Sequence, residues 1–309
     1  MRDDAVLFLT GRCNLACPHC LRDGSTDIDL SMDYIDAFLD ECVVEGVRTI
    51  CLTGGEPMLH RDFESVMDAI AERNLFYTLV TNGRCIQPYL ERLERCPDRC
   101  LSVSVSLDGA TKEVHEAMRG RGFREATEAV RAFAEVGVPT SVQMLVTEVN
   151  ADRVALMVEL AKELGAAALW LAAAITNPAE SPILPWEGGR REARITAKQE
   201  GKRRDLPVYF ASCYLRMGDL MICRNMRDPQ LGINPRGEVV FCCNTWGAGA
   251  VLGPLGERTL AQYREEARVI GSHLIREKMR LNEEKRLDEY ETNCIFCNAY
   301  LAERIRSLR

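Results

Sequence analysis

Residues 5–20 read AVLFLTGRCNLACPHC, an apolar run that opens into a loop carrying Cys13, Cys17 and Cys20. A short apolar run bounded by a Gly- and Cys-bearing loop reads as a buried strand. Working outward, 32–46 has helical apolar spacing (Ile35, Phe38, Leu39, Cys42, Val43) and ends on Gly46. TICLT (49–53) is strand-like and 62–74 is an amphipathic helix. The alternation continues with a strand at 76–82, a helix near 86–95, a strand at 101–108 and a long helical stretch at 111–136. A strand at 140–147, a helix at 151–164 and a sixth strand at 167–174 complete it. Successive strand–helix steps imply an α/β fold with a parallel sheet and right-handed crossovers. A partial (β/α)6 TIM-like barrel and a doubly wound sheet both fit, and either gathers its chemistry beyond the carboxyl ends of the strands. Cys13 to Cys20, Gly54 to Pro57, Asn82 with Gly83, and Asp108 with Gly109 all fall at such ends.

The expected organisation is a first domain over 1–175, a linker over 176–207 and a smaller domain over 208–309 with a terminal helix. Pro178, Pro182 and Pro185, then a basic stretch at 190–204, carry the linker reading. Net charge is −7 over 309 residues, which argues against a nucleic-acid partner. No apolar run reaches a membrane span, so no membrane partner is expected. The start, MRDDAVLFLT, lacks the positive n-region of an export signal. The 14 cysteines therefore read as a reduced cytoplasmic set rather than a disulfide framework.

Three thiolates in a C-x3-C-x2-C loop suit a four-iron, four-sulfur cluster with one iron left open. Structural zinc wants a fourth ligand, and His19, between two of the cysteines, cannot easily serve the same ion. This spacing, followed by GGEP at the next strand end, resembles the radical S-adenosylmethionine (SAM) superfamily, and with it the partial barrel. The resemblance implies that Cys13, Cys17 and Cys20 hold the cluster and that its open iron binds SAM. An electron from the cluster then cleaves SAM, and the 5′-deoxyadenosyl radical removes a substrate hydrogen. It implies His19 beside the adenine, and Gly54, Gly55, Glu56 and Pro57 along the methionyl amino group. Ser104, Ser106 and Asp108 match polar positions near the ribose and carboxylate, with Asn82 and Gln143 as further contacts. Asn82 also reads as an ordinary turn residue before Gly83. An electron donor such as flavodoxin or ferredoxin is implied. In HEAMRG (115–120), His115 reads as an ordinary helix-surface residue and Arg119 as either holding a carboxylate or pairing on the surface, and neither is assigned a catalytic role.

A second thiol set follows: Cys223, Cys242, and Cys294 with Cys297 as a C-x2-C pair. GINPRGEVVFC (232–242) reads as two short strands joined by a Pro-Arg-Gly turn. Four thiolates in two pairs satisfy a second, auxiliary [4Fe-4S] cluster, and zinc with the same ligands stays open. The spacing resembles the twitch (SPASM-like) group of radical SAM enzymes. In that scheme Cys243, in VVFCCNTW (239–246), is left over. It is either a buried small hydrophobe or a hydrogen-atom donor that quenches the substrate radical, as in some natural-product epimerases. Cys213 is the alternative donor or ligand, while Cys42, Cys51, Cys85, Cys96 and Cys100 read as packing.

The expected function is epimerisation of a natural product by hydrogen abstraction, with Cys243 catalytic. Only 12 residues precede Cys13, which favours a small polar substrate of aminoglycoside type over a leader-bearing peptide. The alternatives are a sugar-alcohol dehydrogenase, with the auxiliary cluster accepting an electron, and a peptide epimerase or maturase. A non-catalytic iron–sulfur sensor is the remote option, because a cluster carrier needs no SAM pocket.

Overall fold

The computed structural model describes residues 3–21, 26–95, 99–173, 175, 189–214, 217, 222–244, 251–290 and 292–307. The proline-bearing stretch 176–188, Cys96 and Trp246 lie outside the described residues. The chain forms two compact units that interleave along the sequence. One comprises Met1–Cys13, Leu21–Tyr77 and Leu215–Arg309; the other comprises Asn14–Cys20 and Thr78–Tyr214.

In the first unit, β1 (Asp4–Phe8) pairs in parallel with β2 (Thr49–Thr53), and the connection carries α1 (Met32–Val44). Alternate residues of β2 are buried, as a period-2 side-chain pattern requires. Ser31 caps α1, its side chain accepting from the Tyr34 amide. Helix α2 (Phe63–Glu72) buries Phe63, Val66, Met67 and Ile70.

The C-terminal residues join this same unit. β8 (Gly232–Ile233) lies parallel to β1, and β9 (Glu238–Val240) runs antiparallel to both β8 and β10 (Val251–Pro254). The Pro-Arg-Gly turn between β8 and β9 closes on Asn234, whose side chain accepts from the Arg236 and Glu238 amides. A short helix, α8 (Arg224–Arg227), follows Cys223, and helix α9 (Leu260–Glu283) starts with a Thr259–Gln262 capping box. It is tied to the α1 region by Glu41, which accepts from the Leu260 amide, and by the Arg264–Glu45 ion pair at 3.0 Å. A terminal helix, α10 (Asn293–Ser307), carries the C-x2-C pair.

The second unit runs β3 (Phe76–Thr81, from Thr78), β4 (Cys100–Ser106), β5 (Thr140–Val146), β6 (Ala168–Ala173) and β7 (Val208–Phe210), neighbours in that order. Strands β4 to β7 pair in parallel. Val103, Val105, Val142, Met144, Leu169 and Leu171 are buried, while Ser104, Gln143 and Trp170 alternate with them on the other, more accessible face. Helices α3 (Gln87–Arg95), α5 (Phe123–Glu135) and α6 (Val154–Glu163) connect the strands. The basic stretch forms α7 (Arg190–Arg203).

The 111–136 stretch, expected as one helix, is two: α4 (Lys112–Arg119) and α5. Gly120 and Gly122 adopt positive φ of 83° and 145°, which ends one helix and starts the next. The α/β parallel-sheet class expected from the strand–helix alternation is the observed one.

Gly237 sets a stability prediction. Its φ is +77°, and a Cβ there would lie 2.5 Å from the Tyr34 ring. Gly237→Ala is expected to cost about 1–3 kcal/mol of unfolding free energy, read by urea titration of the apoprotein.

Candidate functional site

The first unit prepares a backbone cradle at the ends of β1 and β2. Thr10 donates to Asp29 at 2.6 Å and its hydroxyl accepts from the Arg12 amide, so the loop leaving β1 is folded back before Cys13. Arg12 pairs with the same Asp29 carboxylate. Burial works against the Asp29 charge, yet Thr10 and Arg12 together hold its pKa below the ordinary value. Gly55 and Glu56 donate their amides to the Thr10 and Arg12 carbonyls at 2.7 and 2.8 Å. A Cβ on Gly55 would sit 2.0 Å from the Arg12 carbonyl oxygen, so only glycine permits this approach. The Glu56 side chain is fully buried and accepts from the Met58 amide, capping the turn that begins at Pro57. Glu56 therefore shapes the loop with its carboxylate.

The second unit holds the rest of the cysteine loop. Asn82 donates to the Asn14 side chain at 2.7 Å, and Arg84 donates to the Asn14 carbonyl at 2.7 Å. Asn82 is thus a clamp on the loop in addition to a turn former. Asp108 is fully buried. Its Oδ1 accepts from the Leu145 amide at 2.7 Å and its Oδ2 from Arg119 Nε at 2.6 Å, with His19 Nε2 3.6 Å from Oδ2. Its amide donates to His115 Nδ1, and its carbonyl accepts from Asn150. Both Asp108 oxygens are thus engaged by protein groups. Cys17 donates to the Arg119 carbonyl at 3.6 Å. Burial opposes the Arg119 charge, but Asp108 first and the Cys17 and Cys20 thiols next keep its pKa raised.

His115, read from sequence as a surface residue, is buried, and Arg119 is largely covered; both belong to this network. Their i, i+4 spacing on one helix face, directly after SLDG, was the signal available. Nothing local marks Asn150. On the accessible strand face, Ser104 shares a hydrogen bond with Ser141 at 2.8 Å, and Ser106 and Gln143 lie in register.

The second thiol set gathers within the first unit. Asn225 donates to Cys242 at 2.8 Å and Asn244 to Cys294 at 3.6 Å. Burial, followed by the Cys242 and Cys223 thiols, pushes the Cys297 pKa well up, against Lys278. A hydrogen bond with Cys242, then burial, does the same to Cys243, which also senses Cys51 and Cys294. The Cys243 side chain packs with Cys51 against Val6, Phe8 and Val240. Among the described residues, no three His, Cys, Asp or Glu side chains close on one point as a single metal ion requires. Cys213 is buried in the other unit.

Residues 7–161 match the Radical SAM superfamily. The chain belongs to that superfamily. The sequence relatives include the antilisterial bacteriocin subtilosin biosynthesis protein AlbA of Bacillus subtilis strain 168, 29% identical over 53% of this chain and 38% of its own length. Mycofactocin maturase MftC of Mycobacterium ulcerans strain Agy99 is 35% identical over 51% of this chain and 44% of its length. The PqqA peptide cyclase of Methylobacterium sp. strain 4-46 is 31% identical over 63% of this chain and 51% of its length. The chain therefore spans about half the length, or less, of the curated relatives it matches.

Streptococcus suis SuiB bound to precursor peptide SuiA shares the fold, with TM-score 0.73 and 17% identity over 87% of this chain and 66% of SuiB. Native anSMEcpe with bound AdoMet and Kp18Cys peptide has TM-score 0.71 and 17% identity over 88% of this chain and 84% of its own. Membership brings SAM and one four-iron cluster as cofactors, and this radical SAM chain has residues that suit them. The thiols of one loop, the glycine approach at 54–55 and a buried His19 Nδ1 with no hydrogen-bond partner are all present. No helix among the described residues is long and apolar enough to cross a membrane.

Burial lowers the His115 pKa from 6.5 to about 4, with Asp108 opposing and Arg119 adding to the effect. The folded value lies below the unfolded one, so the unfolded chain gains a proton first as pH falls. Unfolding free energy should therefore drop between pH 6.5 and about 4, by up to roughly 1.4 kcal/mol per pH unit from this group. Above pH 6.5 His115 contributes no slope. Comparing His115→Gln with the parent apoprotein across that range checks it: the variant should lose part of the slope.

Proposed function

We propose that this chain is a radical SAM enzyme that modifies a peptide, inverting a stereocentre by returning a hydrogen atom from Cys243. The observation that carries this reading is the position of Cys243. It neighbours Cys242 and Cys294, is kept as a protonated thiol, and packs on the end of β1. A carbon radical takes the hydrogen of a protonated thiol's weak S–H bond downhill. The thiyl left on Cys243 returns to the thiol by gaining one electron, from the protein electron donor, and one proton from solvent.

In this reading Cys13, Cys17 and Cys20 hold one [4Fe-4S] cluster, and Cys223, Cys242, Cys294 and Cys297 an auxiliary one. When bound, the reduced first cluster and SAM together supply the 5′-deoxyadenosyl radical that abstracts the substrate hydrogen. The chain's own residues bind and orient. The Gly54–Gly55 backbone accepts the methionyl amino group, with Glu56 and Pro57 fixing the turn. His19 offers a buried ring to the adenine, and Ser104, Ser106 and Gln143 offer hydroxyl and amide groups. Asp108 anchors His19, and Asn82 clamps the cysteine loop at Asn14. Asn225 and Asn244, each donating to a thiol, suit a cluster whose potential depends on hydrogen bonds to its sulfurs. A ferredoxin- or flavodoxin-type protein would deliver electrons.

A peptide substrate is favoured over the aminoglycoside-type sugar expected from sequence. Its support is that AlbA, MftC and the PqqA peptide cyclase carry names of bacteriocin, mycofactocin and peptide processing, and that SuiB has been solved with a precursor peptide.

Anaerobic incubation of reconstituted enzyme with SAM, reductant and candidate peptides in deuterated water tests the outcome. Inversion predicts a product one mass unit heavier with altered retention. A product two units lighter would mean dehydrogenation and overturn the Cys243 role. Cys243→Ala should keep both clusters and SAM cleavage yet form no inverted product. Cys294→Ala should lose close to half the iron, read by iron assay and absorbance; full retention would remove Cys294 from the ligand set.

A further inference from the structure

We propose that the ion pair between the buried Asp108 and the largely covered Arg119 is an electrostatic positioning device that sets the reduction potential of the iron–sulfur cluster held by the cysteine loop. This rests on the reading above that Cys17 and Cys20 are ligands of that cluster. A buried ion pair is weak evidence for stability, because two desolvated charges seldom outperform apolar packing. Its location here points to a different use.

Arg119 is the last residue of α4, and its carbonyl already receives the Cys17 thiol. Its guanidinium is held by Asp108 at 2.6 Å, and both Cys17 and Cys20 favour its charge. Asp108 cannot turn away to follow another partner. Its second oxygen is fixed by the Leu145 amide, its own amide by His115 and its carbonyl by Asn150. A cation held by a fixed counter-ion therefore stands on the residue that Cys17 touches, close enough for both Cys17 and Cys20 to favour its charge.

Reduction adds an electron to an already anionic thiolate-bound cluster. A nearby buried positive charge stabilises the reduced form, and a buried negative charge stabilises the oxidised one. Removing Arg119's charge leaves Asp108 uncompensated and should make the cluster harder to reduce. Removing Asp108's charge leaves Arg119 uncompensated and should make it easier. A purely architectural pair would not give opposite signs.

The test is an anaerobic redox titration of the reconstituted full chain, following by electron paramagnetic resonance the cluster signal that changes on adding SAM. At the parent midpoint, Arg119→Gln should lower the reduced-to-oxidised ratio about tenfold, a shift of about 59 mV for a one-electron couple. Asp108→Asn should raise the ratio by a similar factor. The double variant, which removes both charges, and Arg119→Lys, which keeps the cation, should both return toward the parent value. If either single variant fails to fold, the comparison of Arg119→Lys, the double variant and the surviving single variant carries the same sign test. Shifts of the same sign, or none, would overturn the inference while leaving the cluster assignment intact. A parent protein with no SAM-sensitive cluster signal would overturn both.

Discussion

Asp108 carries a full charge with no access to water, so each of its polar atoms has to find a protein partner. It takes them from four places: the cysteine loop through His19, α4 through His115 and Arg119, β5 through Leu145, and the turn before α6 through Asn150. The cost of leaving any of these unmet ties the strand-four end, the following helix and the cysteine loop into one arrangement. The glycines at 120 and 122 serve the same arrangement by ending α4 at the residue that supplies the guanidinium.

The first unit solves a related problem with backbone instead of charge. Thr10, Arg12 and Asp29 fold the start of the cysteine loop, and the glycines of GGEP let the next strand end press against it. Side chains larger than hydrogen would meet carbonyl oxygens there. The C-terminal residues share this unit through β8 beside β1 and through α9 against α1. Cys223, Cys242, Cys294 and Cys297 therefore belong to the same unit as β1, the strand that leads into the first cysteine loop.

Much of this was readable from local pattern. The alternation of β2, the amphipathic spacing of α1 and the Pro-Arg-Gly turn each follow from periodicities that need only neighbouring residues. The three cysteines in one loop and the glycines after β2 pointed to the superfamily for the same reason, since their chemistry requires short spacing. The break at 120–122 was also in the sequence, as two glycines, but apolar periodicity running through it masked the change of helix.

What the sequence determined alone was which chemistry the chain can carry: thiols in cluster spacing, a glycine approach for a small ligand, and a strand–helix order that puts both at strand ends. Tertiary structure decided which polar groups remain available for it. Asp108, Glu56 and Asn82, expected along the cofactor, each also hold protein partners that local sequence did not show. His115 looked like a surface residue, yet burial draws it inward. The physical reason is that a polar group's role depends on its access to water and on partners far along the chain. Neither is encoded in the few residues on either side of it.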